Sequence, residues 1–133
     1  IDNDIVYFSS ARDMARYGWM IANQGKWKSN QIVPADFLKE AITPSQELNN
    51  SYGYLWWLNG QSSFMLPTIN RVFNGPLVPE APDDTYFALG KSGQVLMIVP
   101  SLDLVVVRMG SSSGNDFVPI VFVREMWGLI KDL

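Results

Sequence analysis

Three short apolar runs in the second half of this 133-residue chain constrain its fold more than any other feature. They cover residues 86–89, 94–99 and 104–109, and aliphatic and aromatic side chains dominate them. The link between the last two runs, 100–103, is too short for a crossover connection, so these two strands must be antiparallel. The sequence therefore predicts an antiparallel sheet.

Helices are predicted both before and after these strands along the chain. The first begins at a capping box, with the Ser10 hydroxyl accepting a main-chain amide and Asp13 near the positive helix end, and it runs to about residue 23. The second opens at Pro34, and a third is capped by Asp116 after a loop over 110–115. The predicted inward faces are Met14, Tyr17, Gly18, Ile21 and Ala22, then Phe37, Leu38, Ala41 and Ile42, then Val118, Ile120, Val121, Val123, Met126, Trp127 and Ile130.

An aromatic segment follows the second helix. Residues 52–58 predict a strand that ends in a tight turn at Asn59-Gly60. Alternation along a strand puts Tyr52, Tyr54 and Trp56 on one face and Trp57 on the other.

The segment 61–84 contains four prolines and little periodicity. It predicts either a loop that borders a substrate cleft or a wandering connection with one short strand around residues 70–73. Taken together, the elements predict an α+β fold in which N-terminal helices and a C-terminal helix pack on an antiparallel sheet. Residues 1–133 are expected to form a single domain.

Composition excludes several classes of function. Hydrophobic residues make up 47% of the chain, enough for a core, and the net charge of −3 gives no footprint for nucleic acid. The absence of cysteine and histidine excludes a Cys/His zinc site and a Ser-His-Asp triad, and no metal or organic cofactor is implied. The apolar runs are shorter than a membrane span, and nothing in the composition fixes a compartment.

The segment between the first two apolar runs holds the candidate chemistry. Lys91 and Ser92 stand between Gly90 and Gly93, on a strand of a hairpin, and the glycines leave room for another molecule to approach the main chain. The glycines are equally compatible with a simple bulge, and Lys91 with a charge that protects a sheet edge from aggregation.

Lys91-Ser92-Gly93, with the apolar strand, the turn and the second apolar strand that follow, resembles a known sequence box. It is similar to the Lys-Thr/Ser-Gly box and following hairpin of the serine beta-lactamase, penicillin-binding-protein and esterase superfamily. Segments 10–18, 32–34 and 52–57 resemble, in the same order, the segments that precede this box in the class C-like branch. The resemblance implies a partial beta-lactamase/transpeptidase-like fold and the C-terminal portion of a serine hydrolase domain, in a periplasmic or secreted protein.

The family's nucleophile is missing from the chain. No serine is followed three residues later by lysine, so there is no Ser-x-x-Lys motif. Ser113-Gly114-Asn115 fits the family's Ser-x-Asn motif by letters, but it follows the Lys91 strand instead of preceding it, and we interpret it as a coincidence. We expect the nucleophile on a preceding segment, and the chain alone to be inactive.

The resemblance implies a role for each residue of the box. Lys91 would bind a substrate carboxylate or hold a neighbouring group in its reactive proton state, and Ser92 would hydrogen-bond a carboxylate or carbonyl. The main-chain amide of Gln94 would match the family's second oxyanion-hole donor. Gly93 would leave room for substrate.

The resemblance also bears on the substrate. Gly-Lys-Ser-Gly-Gln is closer to esterase-like and amide-hydrolase-like members than to class C beta-lactamases, so the expected substrate is a small amide, an ester or a beta-lactam. Tyr54 or Trp56 would stack on it if they are not simply packed in the core.

A second hypothesis is a non-catalytic module. A degenerate half-domain could bind another protein, or itself, through apolar side chains that a missing N-terminal segment would otherwise cover. Trp56, Trp57 and Phe64 are the expected members of such an exposed patch.

Overall fold

A computed structural model describes residues 8–67, 69–110 and 119–132. Within these ranges the chain is α+β, as predicted, with three helices and eight strands. The helices are α1 (Ala11–Ala22), α2 (Ala35–Ala41) and α3 (Pro119–Ile130). The strands are β1 (Lys26–Trp27), β2 (Asn30–Gln31), β3 (Trp57–Leu58), β4 (Ser63–Met65), β5 (Val72–Asn74), β6 (Tyr86–Gly90), β7 (Gln94–Val99) and β8 (Leu104–Arg108).

The main sheet is antiparallel and has the order β3-β6-β7-β8. Its three long strands are the three apolar runs of the sequence, and their register aligns Phe87 with Met97 and Met97 with Val106. The predicted antiparallel pairing is therefore confirmed. It follows from links that are too short to carry the chain across the sheet.

Helices cover both faces of this sheet, which explains why β7 is apolar at almost every position. Leu96 and Ile98 pack in a core with α1 and α2, whereas Val95, Met97 and Val99 pack in a second core with α3. A strand that is buried on both faces shows no alternation of polar and apolar residues.

The N-terminus of α1 forms the predicted capping box. The main-chain amide of Asp13 donates to Ser10 Oγ at 3.2 Å, and that hydroxyl donates to Asp13 Oδ2 at 2.6 Å. Gly18 lies against the sheet, where a Cβ atom would be 2.7 Å from side-chain carbons of both Leu96 and Val105. Close approach of α1 to the sheet therefore depends on the missing side chain.

Three residues predicted to face inward are exposed. Tyr17 is 42% exposed because α1 contacts the sheet through Gly18, and a residue one position earlier lies about 100° around the helix. Met20 is buried instead. Phe37 in α2 and Val121 in α3 are also exposed, whereas Leu38, Ala41, Ile120, Val123 and Trp127 are buried as predicted. Asp116, Val118 and the segment Ser113-Gly114-Asn115 lie outside the described residues.

The predicted strand over 52–58 is wrong over most of its length. Only β3 is a strand, and Tyr52 forms an isolated antiparallel bridge with Trp57. Leu55 has a φ of 65°, a left-handed conformation that turns the chain back and that no strand contains.

This turn separates the aromatic side chains that strand alternation would have grouped. Tyr52 packs edge-on to Trp57 in the α3-side core, with ring centroids 4.8 Å apart, whereas Trp56 packs edge-on to Tyr86 in the α1-side core. The prediction that Trp56 and Trp57 face opposite ways is confirmed. The shared face of Tyr52, Tyr54 and Trp56 is wrong.

The segment 61–84 contains a hairpin, followed by a connection that is held by hydrogen bonds to Asn59. β4 and β5 pair antiparallel, and β5 corresponds to the strand predicted around 70–73, whereas β4 was not predicted. Asn59, which is 2% exposed, donates from Nδ2 to the carbonyls of Val78, Ala81 and Pro82 at 3.0 to 3.2 Å and accepts from the Val78 amide at 2.9 Å. One buried side-chain amide therefore satisfies three carbonyls and one amide group of this connection.

Two glycines lie where the main chain passes another segment closely. A Cβ atom on Gly25, whose φ is 79°, would be 2.1 Å from the Val33 carbonyl oxygen, and one on Gly53 would be 2.2 Å from that of Ala41. Gly25 lies shortly after the end of α1, and Gly53 packs against the last residue of α2.

The expected patch of exposed aromatic residues is not formed by the side chains that the sequence suggested. Trp56, Trp57 and Phe64 are 6%, 8% and 4% exposed, so their predicted exposure is wrong. Each side chain is buried in one of the two cores. In the described part of the chain, no helix is long and apolar enough to cross a membrane.

Candidate active site

The residues of the Lys-Ser-Gly box form the tight turn that joins β6 to β7. Gly90 pairs with Gln94 across the end of the hairpin, and the three residues between them reverse the chain. Ser92 and Gly93 have φ angles of 62° and 74°. Left-handed residues cannot continue a strand, so the predicted hairpin is confirmed, but the placement of Lys91 and Ser92 on a strand is wrong.

Arg108, the last residue of β8, holds this turn in place. Its Nη1 donates to the carbonyls of Ser92 at 3.0 Å and Gly93 at 3.1 Å, and its guanidinium lies 5.3 Å from the centroid of the Phe122 ring in α3. One side chain thus ties the turn to the neighbouring strand and to the C-terminal helix. Sequence analysis missed Arg108. Its only local signal is a cation at the end of an apolar strand.

The side chain of Gln94 is committed to the end of β8. Its Nε2 donates to the Gly110 carbonyl, and the Gly110 amide donates to its Oε1 at 3.1 Å. This pair of hydrogen bonds fixes the start of β7 beside the turn. The predicted role of Gln94 therefore rests on its main-chain amide alone.

A concavity of about 330 Å³ opens beside the turn. Its lining includes Gly90, Gln94 and Arg108, together with Tyr52 and Leu55. The predicted site residues Lys91, Ser92 and Gly93 lie next to this lining in the chain but are not part of it. It lies where β3 stops pairing with β6, since only Phe87 and Tyr86 of β6 have partners in β3. The far half of β6 therefore has no strand on this side among the described residues.

Two cationic side chains belong to the described residues of the turn and its support. Lys91 is exposed and, within the described ranges, makes no ion pair, while Arg108 is partly buried and hydrogen-bonds the turn. None of the described residues that line the concavity is an aspartate or a glutamate. The arrangement suits a carboxylate or a carbonyl oxygen that becomes negative during a reaction. Ser92 is half-buried, and Gly93 is buried.

Tyr54 and Trp56, predicted as substrate-stacking residues, do not line this concavity. The Tyr54 hydroxyl donates to Glu40 Oε1 at 2.6 Å, and this hydrogen bond, with the negative charge of Glu40, raises the pKa of Tyr54. Trp56 is in the core, which is the packing role that the sequence also allowed. Their neighbours Tyr52 and Leu55 stand at the concavity instead. The left-handed turn at Leu55 places them there.

The described residues contain no group of three or more histidine, cysteine, aspartate or glutamate side chains that could hold a metal ion. The chemistry that this site can perform with its own residues is binding and charge stabilisation by cationic side chains and main-chain amides. A nucleophile with the family's motif is not in the sequence.

Comparison with known proteins places the fold. No protein-family profile matches the chain. It is 30% identical, over 113 residues, to an uncharacterized protein of Alkalihalophilus pseudofirmus, in an alignment that covers 81% of this chain and 31% of that protein.

A solved structure is similar to this fold over most of the chain. A protein from Bacillus anthracis assigned as a 6-aminohexanoate-dimer hydrolase matches with a TM-score of 0.58 and 24% sequence identity, over 92% of this chain and 30% of that one. The chain thus spans about a third of the length of either protein. Its α+β fold resembles part of a beta-lactamase-like hydrolase fold.

Proposed function

We propose that this chain is the C-terminal portion of a serine hydrolase that acts on a small amide or ester. The remainder of the enzyme supplies a serine that forms and then loses an acyl group, and the Lys91–Gly93 turn supplies one wall of the site. Membership of the class C branch, or cleavage of a beta-lactam, would be a more specific form of the same proposal. The fold likeness to a hydrolase supports the coarse form.

The observation that carries the proposal is the way the turn is built. An exposed lysine lies on a turn whose carbonyls accept hydrogen bonds from Arg108, next to a concavity whose described lining residues are mainly apolar and include no carboxylate. These hydrogen bonds compensate the partial burial of the Arg108 guanidinium, because burial of a charge is costly unless it is hydrogen-bonded, and they fix the turn that carries Lys91.

In this proposal four residues of the chain have defined roles. Lys91 binds the carboxylate of the substrate or keeps a neighbouring hydroxyl or amine in its reactive proton state. The Gln94 amide donates to the oxygen that becomes negative when the serine attacks the carbonyl carbon. Ser92 hydrogen-bonds the substrate, and Gly93 leaves space for it.

The experiment compares the 133-residue chain with the longer polypeptide that is proposed to contain it. The substrates are p-nitrophenyl butyrate, nitrocefin and the 6-aminohexanoate dimer. We expect hydrolysis by the longer polypeptide only. Activity of the 133-residue chain would contradict the proposal, as would an upstream sequence without Ser-x-x-Lys.

A matched pair of variants tests the role of Lys91. In the longer polypeptide, Lys91→Ala should lower kcat/KM by about 10²- to 10³-fold, the usual cost of removing a charge-stabilising group, with an unchanged melting temperature. Lys39→Ala removes an exposed lysine of α2, outside the Lys91–Gly93 turn, and should leave kcat/KM unchanged. Equal activities of the two variants would remove Lys91 from the site.

A second candidate function is a non-catalytic binding module. Large apolar side chains that remain exposed favour it, among them Trp19, Phe37 and Leu55 at 50%, 51% and 81% exposure. Light scattering on the purified chain separates the two candidates. A stable monomer at all concentrations argues against self-association.

A further inference from the structure

Two concavities meet at the end of β6 that lies away from the Lys91–Gly93 turn. One, of about 410 Å³, lies between α1 and α2, and the other, of about 270 Å³, lies at the start of β6. Ile42, Tyr86 and Pro100 belong to the lining of both, so the two are neighbouring lobes of one depression. Because Tyr86 begins β6 and Gly90 ends it, the depression lies about 13 Å along the strand from the turn.

The larger lobe is lined mainly by apolar side chains, and we call it the apolar lobe. Ile21 and Ala22 line it from the end of α1, and Leu38 lines it from α2. Sites for small organic molecules typically have a volume of this order, an apolar lining and a few polar groups that orient the ligand. The apolar lobe therefore has the size and lining of a ligand site.

The Tyr86 hydroxyl is a free polar group at the junction of the two lobes. Tyr86 is 5% exposed, and its ring packs edge-on against Trp56 in the α1-side core. Within the described ranges its hydroxyl makes no hydrogen bond, and it is not one of the unpartnered atoms that are sealed from solvent. The hydroxyl thus opens into the depression that Tyr86 lines. Because a buried tyrosine hydroxyl normally has a partner, this one is available to a ligand.

Carboxylates outnumber cations around the depression. Its described lining residues include three aspartates and one lysine, namely Asp36, Asp83, Asp84 and Lys39. Asp84 is held in place, because its carboxylate accepts hydrogen bonds from the Ser101 amide at 2.7 Å and the Ser101 hydroxyl at 2.9 Å. Asp83 makes no ion pair or hydrogen bond among the described residues. The smaller lobe holds this adjacent pair, and we call it the acidic lobe.

The C-terminal end of α1 adds to the negative charge of the depression. Ile21 and Ala22 belong to the last turn of this helix, and that turn carries no basic side chain. The carbonyl groups at a helix C-terminus carry partial negative charge, which favours a cation nearby. The aspartates and the helix end therefore point separately to a positively charged ligand.

We propose that this depression binds a primary ammonium group carried on a short alkyl chain. The ammonium lies in the acidic lobe, where Asp83 and Asp84 balance its charge and the Tyr86 hydroxyl oxygen accepts one of its N–H groups. The alkyl chain lies in the apolar lobe between α1 and α2. A metal ion fits less well, because the described residues hold no cluster of three metal-ligating side chains. The proposal depends neither on the hydrolase activity nor on a longer polypeptide.

Isothermal titration calorimetry of the 133-residue chain with n-hexylammonium chloride tests the proposal. We expect saturable binding at one site that weakens as salt is added, because salt screens exposed charges. Hexanoate has a similar tail and the opposite charge, and it should bind at least about tenfold more weakly because the aspartates repel it. Methylammonium lacks the tail and should also bind at least about tenfold more weakly, because each buried methylene group contributes to binding.

Three variants separate the contributions to binding. Tyr86→Phe removes only the hydroxyl and should raise Kd by about two- to tenfold, as expected for one hydrogen bond. Asp83→Asn should raise Kd and reduce its salt dependence. Ala22→Leu fills part of the apolar lobe and should abolish binding of n-hexylammonium while leaving the charges in place. Glu125→Gln is the matched control, since it removes an exposed carboxylate of α3, the helix on the other face of the sheet, and should leave Kd unchanged.

Amide chemical shifts locate the ligand in the same titration. Shifts should change at Ala22, Asp83 and Tyr86 and saturate with the calorimetric Kd. Melting temperatures show whether each variant is folded, and if Ala22→Leu is not, the other two variants decide the question.

Several results would overturn the inference. One is the absence of saturable binding up to about 10 mM n-hexylammonium, a concentration that detects even millimolar affinity. Another is equally tight binding of hexanoate, which would describe an apolar cavity without preference for a cation. Unchanged Kd values in both Tyr86→Phe and Asp83→Asn would place the ligand elsewhere, as would shift changes confined to the Lys91–Gly93 turn. Each of these results leaves the proposed hydrolase function untouched, because no measurement here depends on catalysis.

Discussion

Arg108 does more for the site than any other single residue described. It hydrogen-bonds two carbonyls of a left-handed turn and packs on an aromatic ring of another element. Charge-assisted hydrogen bonds of this kind contribute about 1.5–3 kcal/mol each, and their loss leaves partly buried carbonyls without a donor.

Replacing Arg108 should therefore destabilise the fold and loosen the turn together. We expect Arg108→Met to lower the free energy of unfolding in urea by about 2 kcal/mol and to accelerate amide exchange at Gly93. Arg108→Lys keeps the charge without the planar fork and should recover part of the loss. Arg16→Met, which removes an exposed partner of Asp13, is the control and should change little. Equal effects of Arg108→Met and Arg16→Met would contradict this reading.

Tyr86 gives the molecule a pH dependence at the alkaline end. Burial, with a smaller contribution from the charge of Asp84, raises the pKa of Tyr86 to about 12. The unfolded chain loses this proton near pH 10, before the folded chain does, so stability is intact below pH 10 and falls between about pH 10 and 12. The loss from this residue is roughly 2–3 kcal/mol.

A Tyr86→Phe variant tests the assignment. Its free energy of unfolding should fall less steeply over that alkaline window, and ultraviolet absorbance of tyrosinate should show the disappearance of a late-titrating tyrosine. An unchanged slope would mean that another group causes the alkaline loss.

At the scale of elements, the packing of α1 on the sheet depends on Gly18. An added methyl group would overlap Leu96 and Val105, and overpacking of a core costs about 1–3 kcal/mol. Alanine gains about 1 kcal/mol over glycine in a helix interior, which offsets part of this cost. We expect Gly18→Ala to lower the free energy of unfolding.

Gly128 in α3 provides the matched control. Nothing described lies within 4 Å of the position where its Cβ would be, so Gly128→Ala gains helix propensity without overlap and should stabilise by about 0.5–1 kcal/mol. The two substitutions are chemically identical and should differ in sign when measured by urea denaturation. The same sign for both would show that α1 can move away from the sheet.

Elements that follow from local constraints were predictable from the sequence. The β6–β8 meander follows from link length, and α1 from its capping box. The conformation of segment 52–56 was not predictable, because its aromatic residues indicate a strand, whereas surrounding contacts set the left-handed conformation of Leu55. β4 was missed because the prolines around it indicate a loop. In the site, the glycines marked Lys91 and Ser92 as an unusual position but were interpreted as part of a strand, whereas they form a turn. Arg108 was missed because it binds carbonyls that are distant in sequence, and such a contact leaves no local pattern.

At the scale of the whole molecule, the two cores lie on opposite faces of the main sheet and share its strands. Adjacent residues Leu96 and Met97 of β7 enter opposite cores, so neither core can lose its packing without disturbing the other. The described chain should therefore unfold as one unit.

Two truncations test this coupling. Leu96→Ala and Met97→Ala should each lower the free energy of unfolding by about 2–5 kcal/mol, and circular dichroism and tryptophan fluorescence should report one coincident transition for both. Leu48→Ala, at a side chain that is 76% exposed, should leave the transition unchanged. A biphasic curve for either core variant would show that the layers unfold separately.

The close main-chain contacts at Gly25 and Gly53 have a consequence for tracing ancestry. Neither position tolerates even one extra carbon atom, because a carbonyl oxygen already occupies the space. The exposed Lys91 meets no such steric limit, whereas the demand at these two glycines persists as long as the scaffold does. Paired glycines at this separation are therefore expected in divergent sequences that keep this scaffold, whatever residue stands at position 91.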